Sequence, residues 1–137
     1  MTGMTALLYF TAWTLLLMFT YVNYRVLLTL TGKKPANSWP RGQPNDDPAF
    51  VTRVQNAHYN CVENLPVFAA IVLAAAALGK SAVVDSVAAY VLYFRLAQSG
   101  VHLIGTSATL VFIRAVFFTA QALLFLYMIW GLLHGAA

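Results

Sequence analysis

Charge is what this chain has least of. Of its 137 residues, 9% are Asp, Glu, Lys or Arg, while 61% are hydrophobic. Soluble domains carry about 25% charged residues, so the composition excludes an ordinary soluble domain and reads as a membrane protein. Acids are scarcer still, four in all, with none in the first apolar stretch. That absence argues against a small proton-coupled drug exporter, which needs a membrane-embedded carboxylate poised for protonation. A single cysteine, Cys61, excludes an intrachain disulfide and reads as a small packing residue. The N-terminus lacks a basic n-region and a small-residue cleavage site, and its apolar stretch is too long for a signal peptide, so a retained first span is expected. The net charge of +4 does not suggest nucleic acid, because the basic residues are scattered among apolar stretches rather than gathered on a polar face.

What is present is four apolar segments, each near or above the roughly 20 residues that cross a bilayer. They run over residues 5–30, 48–78, 82–104 and 108–133. A backbone in lipid must satisfy its own hydrogen bonds. The expected fold is therefore an all-α integral membrane protein, a four-helix transmembrane bundle forming one domain over residues 1–137. The first connection, Gly32 to Pro48, is rich in Pro, Gly, Asn and charge and reads as a surface loop. Asp46 or Asp47 is expected to cap the second helix, with Pro48 in its first turn. The connections around Gly79-Lys80-Ser81 and Gly105-Thr106-Ser107 are short hairpins. Arg25, Lys33, Lys34, Arg41, Arg53, Arg95 and Arg114 lie toward the first-loop side and only Lys80 lies opposite. The positive-inside rule then puts the long loop in the cytoplasm and both termini on the far side.

The polar residues inside these spans are not scattered. At 100° per residue, Arg53, Asn56, Asn60, Glu63 and Asn64 fall within an arc of roughly 100° on the second helix. Arg95, Gln98, Ser99 and His102 share a stripe of the third by the same arithmetic. The fourth helix places Arg114 near its start with Phe118 and Gln121 below it, and the first contributes Tyr21 and Arg25. Antiparallel threading brings these groups to one depth on the loop side. Such a layer suits a small, amide-rich anion: guanidinium pairs with carboxylates, Glu63 with an ammonium, and Asn side chains with peptide groups. The plainer alternatives are snorkelling for Arg25 and Arg53, and a structural ion pair for Glu63. His58 faces away from the stripe, and Trp13, Tyr24, Trp39 and Trp130 read as interface anchors.

The run Arg53-x-x-x-Ala57-His58-x-Asn60-x-x-Glu63-x-x-Pro66-x-Phe68 resembles the second-helix motif of the MAPEG family, the membrane-associated proteins of eicosanoid and glutathione metabolism. Arg95-x-x-Gln98-Ser99-x-x-His102 and Ile113-Arg114-Ala115-Val116-Phe117-Phe118 are similar to its third and fourth helices. The resemblance implies a homotrimer of four-helix subunits in a membrane, here the inner membrane of a bacterium, with glutathione bound at subunit boundaries as co-substrate and a lipophilic small molecule as second substrate. No metal is implied. It assigns Arg25, Arg53, Asn60, Glu63, Arg95, Gln98 and His102 to glutathione binding, and Arg114 to stabilising the thiolate. Gln98 stands where the eicosanoid enzymes carry His or Tyr, His102 where they carry Tyr, and Ala115 and Phe118 where they carry Ser and Tyr. A general glutathione transferase, with peroxide reduction as a companion activity, is therefore expected. A non-enzymatic lipid-binding or scaffold protein of the same fold is the rival.

Overall fold

The computed structural model describes residues 1–135, and within them the chain is all helix and connection. Five helices follow in order: α1 (Gly3–Leu30), α2 (Ala49–Ala77), α3 (Ser81–Asp85), α4 (Ala88–Ile104) and α5 (Ala108–His134). Of these, α1, α2 and α5 are long and apolar enough to cross a membrane.

Helix ends follow local chemistry. The Thr2 hydroxyl accepts from the Thr5 amide at the start of α1. At the other end the chain turns through Gly32 at φ 72°, and the Lys33 and Gly32 amides reach back to the Leu28 and Thr29 carbonyls. Gly79, at φ 67°, closes α2 in the same way, with Lys80 bonding Ala75 and Gly79 bonding Ala76. Both are left-handed glycine caps that satisfy carbonyls a helix end otherwise strands. The Ser107 hydroxyl caps α5 through the Leu110 amide.

Two sequence expectations need correction. The α2 N-cap is Pro48, and no side chain caps it. Asp47 instead accepts two hydrogen bonds from Arg25, and Asp46 pairs with Lys34, because a charge-assisted bond to a cation outcompetes a neutral helix amide. The third segment is also not one helix over 82–104: it breaks at Ser86–Val87 into α3 and α4. Asp85 is drawn to the Gly3 amide at 2.6 Å, and the Ser86 hydroxyl bonds the Val83 carbonyl, so the backbone leaves the helix with its polar groups met.

The short α3 ties the ends of the molecule together. A Cβ on Gly3 would lie 2.6 Å from a Val84 methyl, and one on Gly131 would lie 2.7 Å from a Val83 methyl. Both glycines thus permit α3 to seat against α1 and α5. Lys80 completes the end by donating to the carbonyls of Leu132 and Gly135, at the C-terminus of α5.

Along the bundle, α1 packs on α2 and α4 on α5, while α2 touches every other helix. Phe10, Phe68 and Phe125 form an aromatic spine with centroids 6.0 and 5.9 Å apart. Outward faces remain apolar, with Leu8, Leu16, Phe19, Leu123, Leu126 and Trp130 all exposed. An apolar exterior around a partly polar interior is the arrangement a bilayer requires.

Candidate functional site

The stripes of α2, α4 and α5 meet. On α4, Arg95 is fully buried and reaches both neighbouring helices: Nη1 donates to the Asn60 carbonyl at 3.3 Å and Nη2 donates to Oε1 of Gln121. Its guanidinium also lies 5.2 Å from the centroid of the Phe10 ring on α1. Gln121 turns its amide to the Val91 carbonyl at 2.9 Å, so each of its ends is used. A charge in this position is held by neutral acceptors and an aromatic face, with no carboxylate touching it among the described residues. That arrangement rigidifies three helices at once.

Two turns from Arg95 the contacts between α2 and α4 continue. Nδ2 of Asn60 lies 3.3 Å from Nδ1 of His102, joining α2 to α4, and His102 is itself buried. Arg53 donates from Nε to the Leu103 carbonyl at 2.9 Å, which satisfies part of the C-terminal end of α4. Arg114 sits six residues into α5, and its Nε is sealed from solvent without an acceptor. Gln98 Oε1 is likewise buried without a donor. Glu63 is exposed and has no basic partner among the described residues, and Asn56 beside it is exposed too.

Arg53 and the Arg95–Asn60–His102 contacts therefore tie α2 to α4 toward the loop end of the bundle, with Glu63 exposed on the same face of α2 and Arg114 near the start of α5. The layer carries more positive than negative charge, so it can hold an anion. Its one carboxylate can take an ammonium. Exposed acid and amides on the outer side of α2 are costly against lipid, and they ask for a ligand or another protein surface.

The expected residues divide into groups. Asn60 contacts His102 and Arg95 directly, Arg53 reaches the α4 backbone at Leu103, and Glu63 and Asn56 lie on the same face of α2. Arg95 and Gln98 are covered by protein, so within the subunit they support the layer from behind. Within the subunit Arg25 does not join it. Its partners are Asp47 and Gln55, and Gln55 lies 140° around α2 from Asn60. Gln121, which spacing places two turns below Arg114 on the same face of α5, takes Arg95 as its partner, a pairing that periodicity along one helix does not disclose. Cys61 is buried against the Ser99 hydroxyl at 3.7 Å, and His58 bonds the Thr14 carbonyl, so both serve packing.

Comparison with known proteins gives one positive result. The model of the MAPEG family matches residues 3–134, nearly the whole chain. No curated protein and no solved structure shows a significant match.

Proposed function

The chain belongs to the MAPEG family, and from that membership we propose that it is a membrane-bound glutathione transferase working at the layer formed by Asn60, Glu63, His102, Arg53 and Arg114. The observation that carries the reading is Arg114: its guanidinium makes no hydrogen bond or ion pair among the described residues, whereas Arg95, whose Nε also lacks an acceptor, is occupied through both Nη atoms. A glutathione thiol brought there gains from ionising, since an opposite charge at close range favours the thiolate. The thiolate then attacks the electrophilic carbon of a lipophilic substrate; the carbon–sulfur bond forms as the leaving group departs with its electron pair. Proximity supplies much of the remaining acceleration. In this reading Glu63 takes the ammonium of glutathione and Asn60 its peptide group, while Arg95 and Gln98 position α4 behind them. With a lipid hydroperoxide in place of the electrophile, two glutathione molecules are oxidised to the disulfide as the peroxide becomes alcohol and water.

The subunit is a four-span unit, α3 and α4 together making the third crossing, and three copies enclose the site. Support comes from the exposed Glu63 and Asn56, and from the exposed small residues Ala74, Ala76 and Ala77, which permit close helix approach. The long loop is cytoplasmic.

The lipid-binding scaffold has one observation in its favour. Ala115 and Phe118 put no hydroxyl beside Arg114, and Phe118 is exposed. Purified protein tested with glutathione against an aryl halide and a lipid hydroperoxide separates the two. Conjugate formation supports the transferase. No glutathione binding in a calorimetric titration, with native mass spectrometry in mild detergent showing only monomer, would leave the scaffold.

A further inference from the structure

A thiolate at Arg114 meets its electrophile beside whatever side chains border that guanidinium on α5. One turn either side of Arg114, on its own face, stand Leu110, Val111, Phe117 and Phe118. None carries a hydroxyl. Phe117 is turned onto Phe94 of α4, with ring centroids 6.0 Å apart, while Val111 and Phe118 are exposed. The guanidinium is thus bordered by an apolar face with room beside it.

The α2–α4 layer offers no releasable proton in exchange. Arg53 and Arg114 are guanidiniums, which do not give one up. Glu63, exposed and unpaired among the described residues, serves the proposed site as a carboxylate. Nδ2 of Asn60 is a donor and lies 3.3 Å from Nδ1 of His102, so that ring nitrogen accepts and the imidazole is neutral. The Ser99 hydroxyl is buried against Cys61, and the Tyr59 hydroxyl is turned to Gln55, 140° around α2 from Asn60.

Electrophiles differ in whether they need such a proton. When a thiolate displaces a halide, the carbon–sulfur bond forms as the carbon–halogen bond breaks. The halide keeps the electron pair and is stable as it leaves. When a thiolate opens an epoxide, the carbon–oxygen bond breaks instead, and the oxygen is left as an alkoxide that must take a proton. A hydroperoxide asks the same: sulfur takes one oxygen as a sulfenic acid, and the other departs as an alkoxide. A positioned acid is worth about 10²–10⁴-fold in such steps.

Resting on the transferase reading, we propose that the site selects electrophiles that expel a stable anion, organic halides above all, over epoxides and hydroperoxides. Phe118 is the specificity-determining residue, because it presents a bare ring one turn from Arg114 where a hydroxyl could protonate the leaving oxygen.

Glutathione conjugation of phenethyl bromide and styrene oxide, which share a carbon skeleton, tests this with the purified protein in detergent. Each kcat/KM is divided by the rate constant of the uncatalysed thiolate reaction. The bromide is expected to be accelerated at least about 100-fold more than the epoxide, the low end of what a general acid supplies. Phe118→Tyr adds a hydroxyl at an exposed position and should shift that ratio at least about tenfold toward the epoxide. Phe118→Leu removes the ring, adds no donor and should give no such shift. Cumene hydroperoxide should follow the epoxide in all three proteins. Equal acceleration of bromide and epoxide overturns the proposal. So does a Phe118→Tyr ratio that stays at the wild-type value or is matched by Phe118→Leu. Conjugation of neither compound is a separate result, which overturns the transferase reading and this inference with it.

Discussion

The Asn60 side-chain amide on α2 lies 3.3 Å from Nδ1 of His102 on α4, while the backbone carbonyl of the same Asn60 receives Nη1 of Arg95 at 3.3 Å. One residue is therefore gripped by two others a pair of turns apart on the facing helix. Its position is set by α4, so whatever α2 presents beside it inherits that rigidity.

Glu63, one turn beyond Asn60, is the first residue to test. Within the subunit its carboxylate is exposed and unpaired among the described residues, so a structural ion pair is not what holds it there. Glu63→Gln keeps the volume and removes the charge that pairs with an ammonium. Glutathione affinity should fall by about 1.5–3 kcal/mol, roughly ten- to a hundredfold. Calorimetric titration of the folded variant checks this, and unchanged affinity removes Glu63 from the site.

Arg114 tests the chemistry. Arg114→Ala should raise the pKa of the bound glutathione thiol by about 1–3 units. The thiolate would then be scarce at neutral pH, and it and turnover should return as pH rises through the new value. Ultraviolet absorbance of the thiolate against pH reads the shift directly. Arg114→Lys should fall between, since a point charge replaces a planar fork. A wild-type protein that binds glutathione with no thiolate signal would rule out this role.

Gln121 should matter for stability more than its amide suggests. Gln121→Leu strips Arg95 of an acceptor and the Val91 carbonyl of a donor in a buried setting. A loss of about 2–3 kcal/mol is expected in denaturant titration of the detergent-solubilised protein. Gln121→Glu keeps an acceptor for the guanidinium and should cost less. If the leucine variant is as stable as wild type, Arg95 is not held in the way described.

The α3 junction gives a packing test. Gly131→Ala would gain about 1 kcal/mol from helix propensity in an open site, but the new Cβ would meet the Val83 methyl at 2.7 Å. Overpacking of this kind costs about 1–3 kcal/mol, so the variant should melt lower than wild type. Adding Val83→Ala removes the obstructing methyl and should return the melting temperature toward wild type. A Gly131→Ala protein that melts higher from the outset would show that α3 does not seat there.

Much of this protein was determined by composition and spacing alone. Long apolar runs with so few charges can only be helices in a membrane, because lipid offers backbone groups no partner. Helical periodicity then put Arg53, Asn60 and Glu63 on one stripe and Arg95, Gln98 and His102 on another, and these stripes do meet through Asn60. Periodicity is a property of one helix, however, and it says nothing about which of two nearby groups a side chain will choose. Arg25 chose Asp47 on a loop 22 residues away, Arg95 turned inward to Gln121, and Asp85 broke its own helix to reach Gly3. Each of those outcomes is a competition between long-range partners for a scarce opposite or complementary group. Only the packed arrangement of the helices brings the competitors within reach.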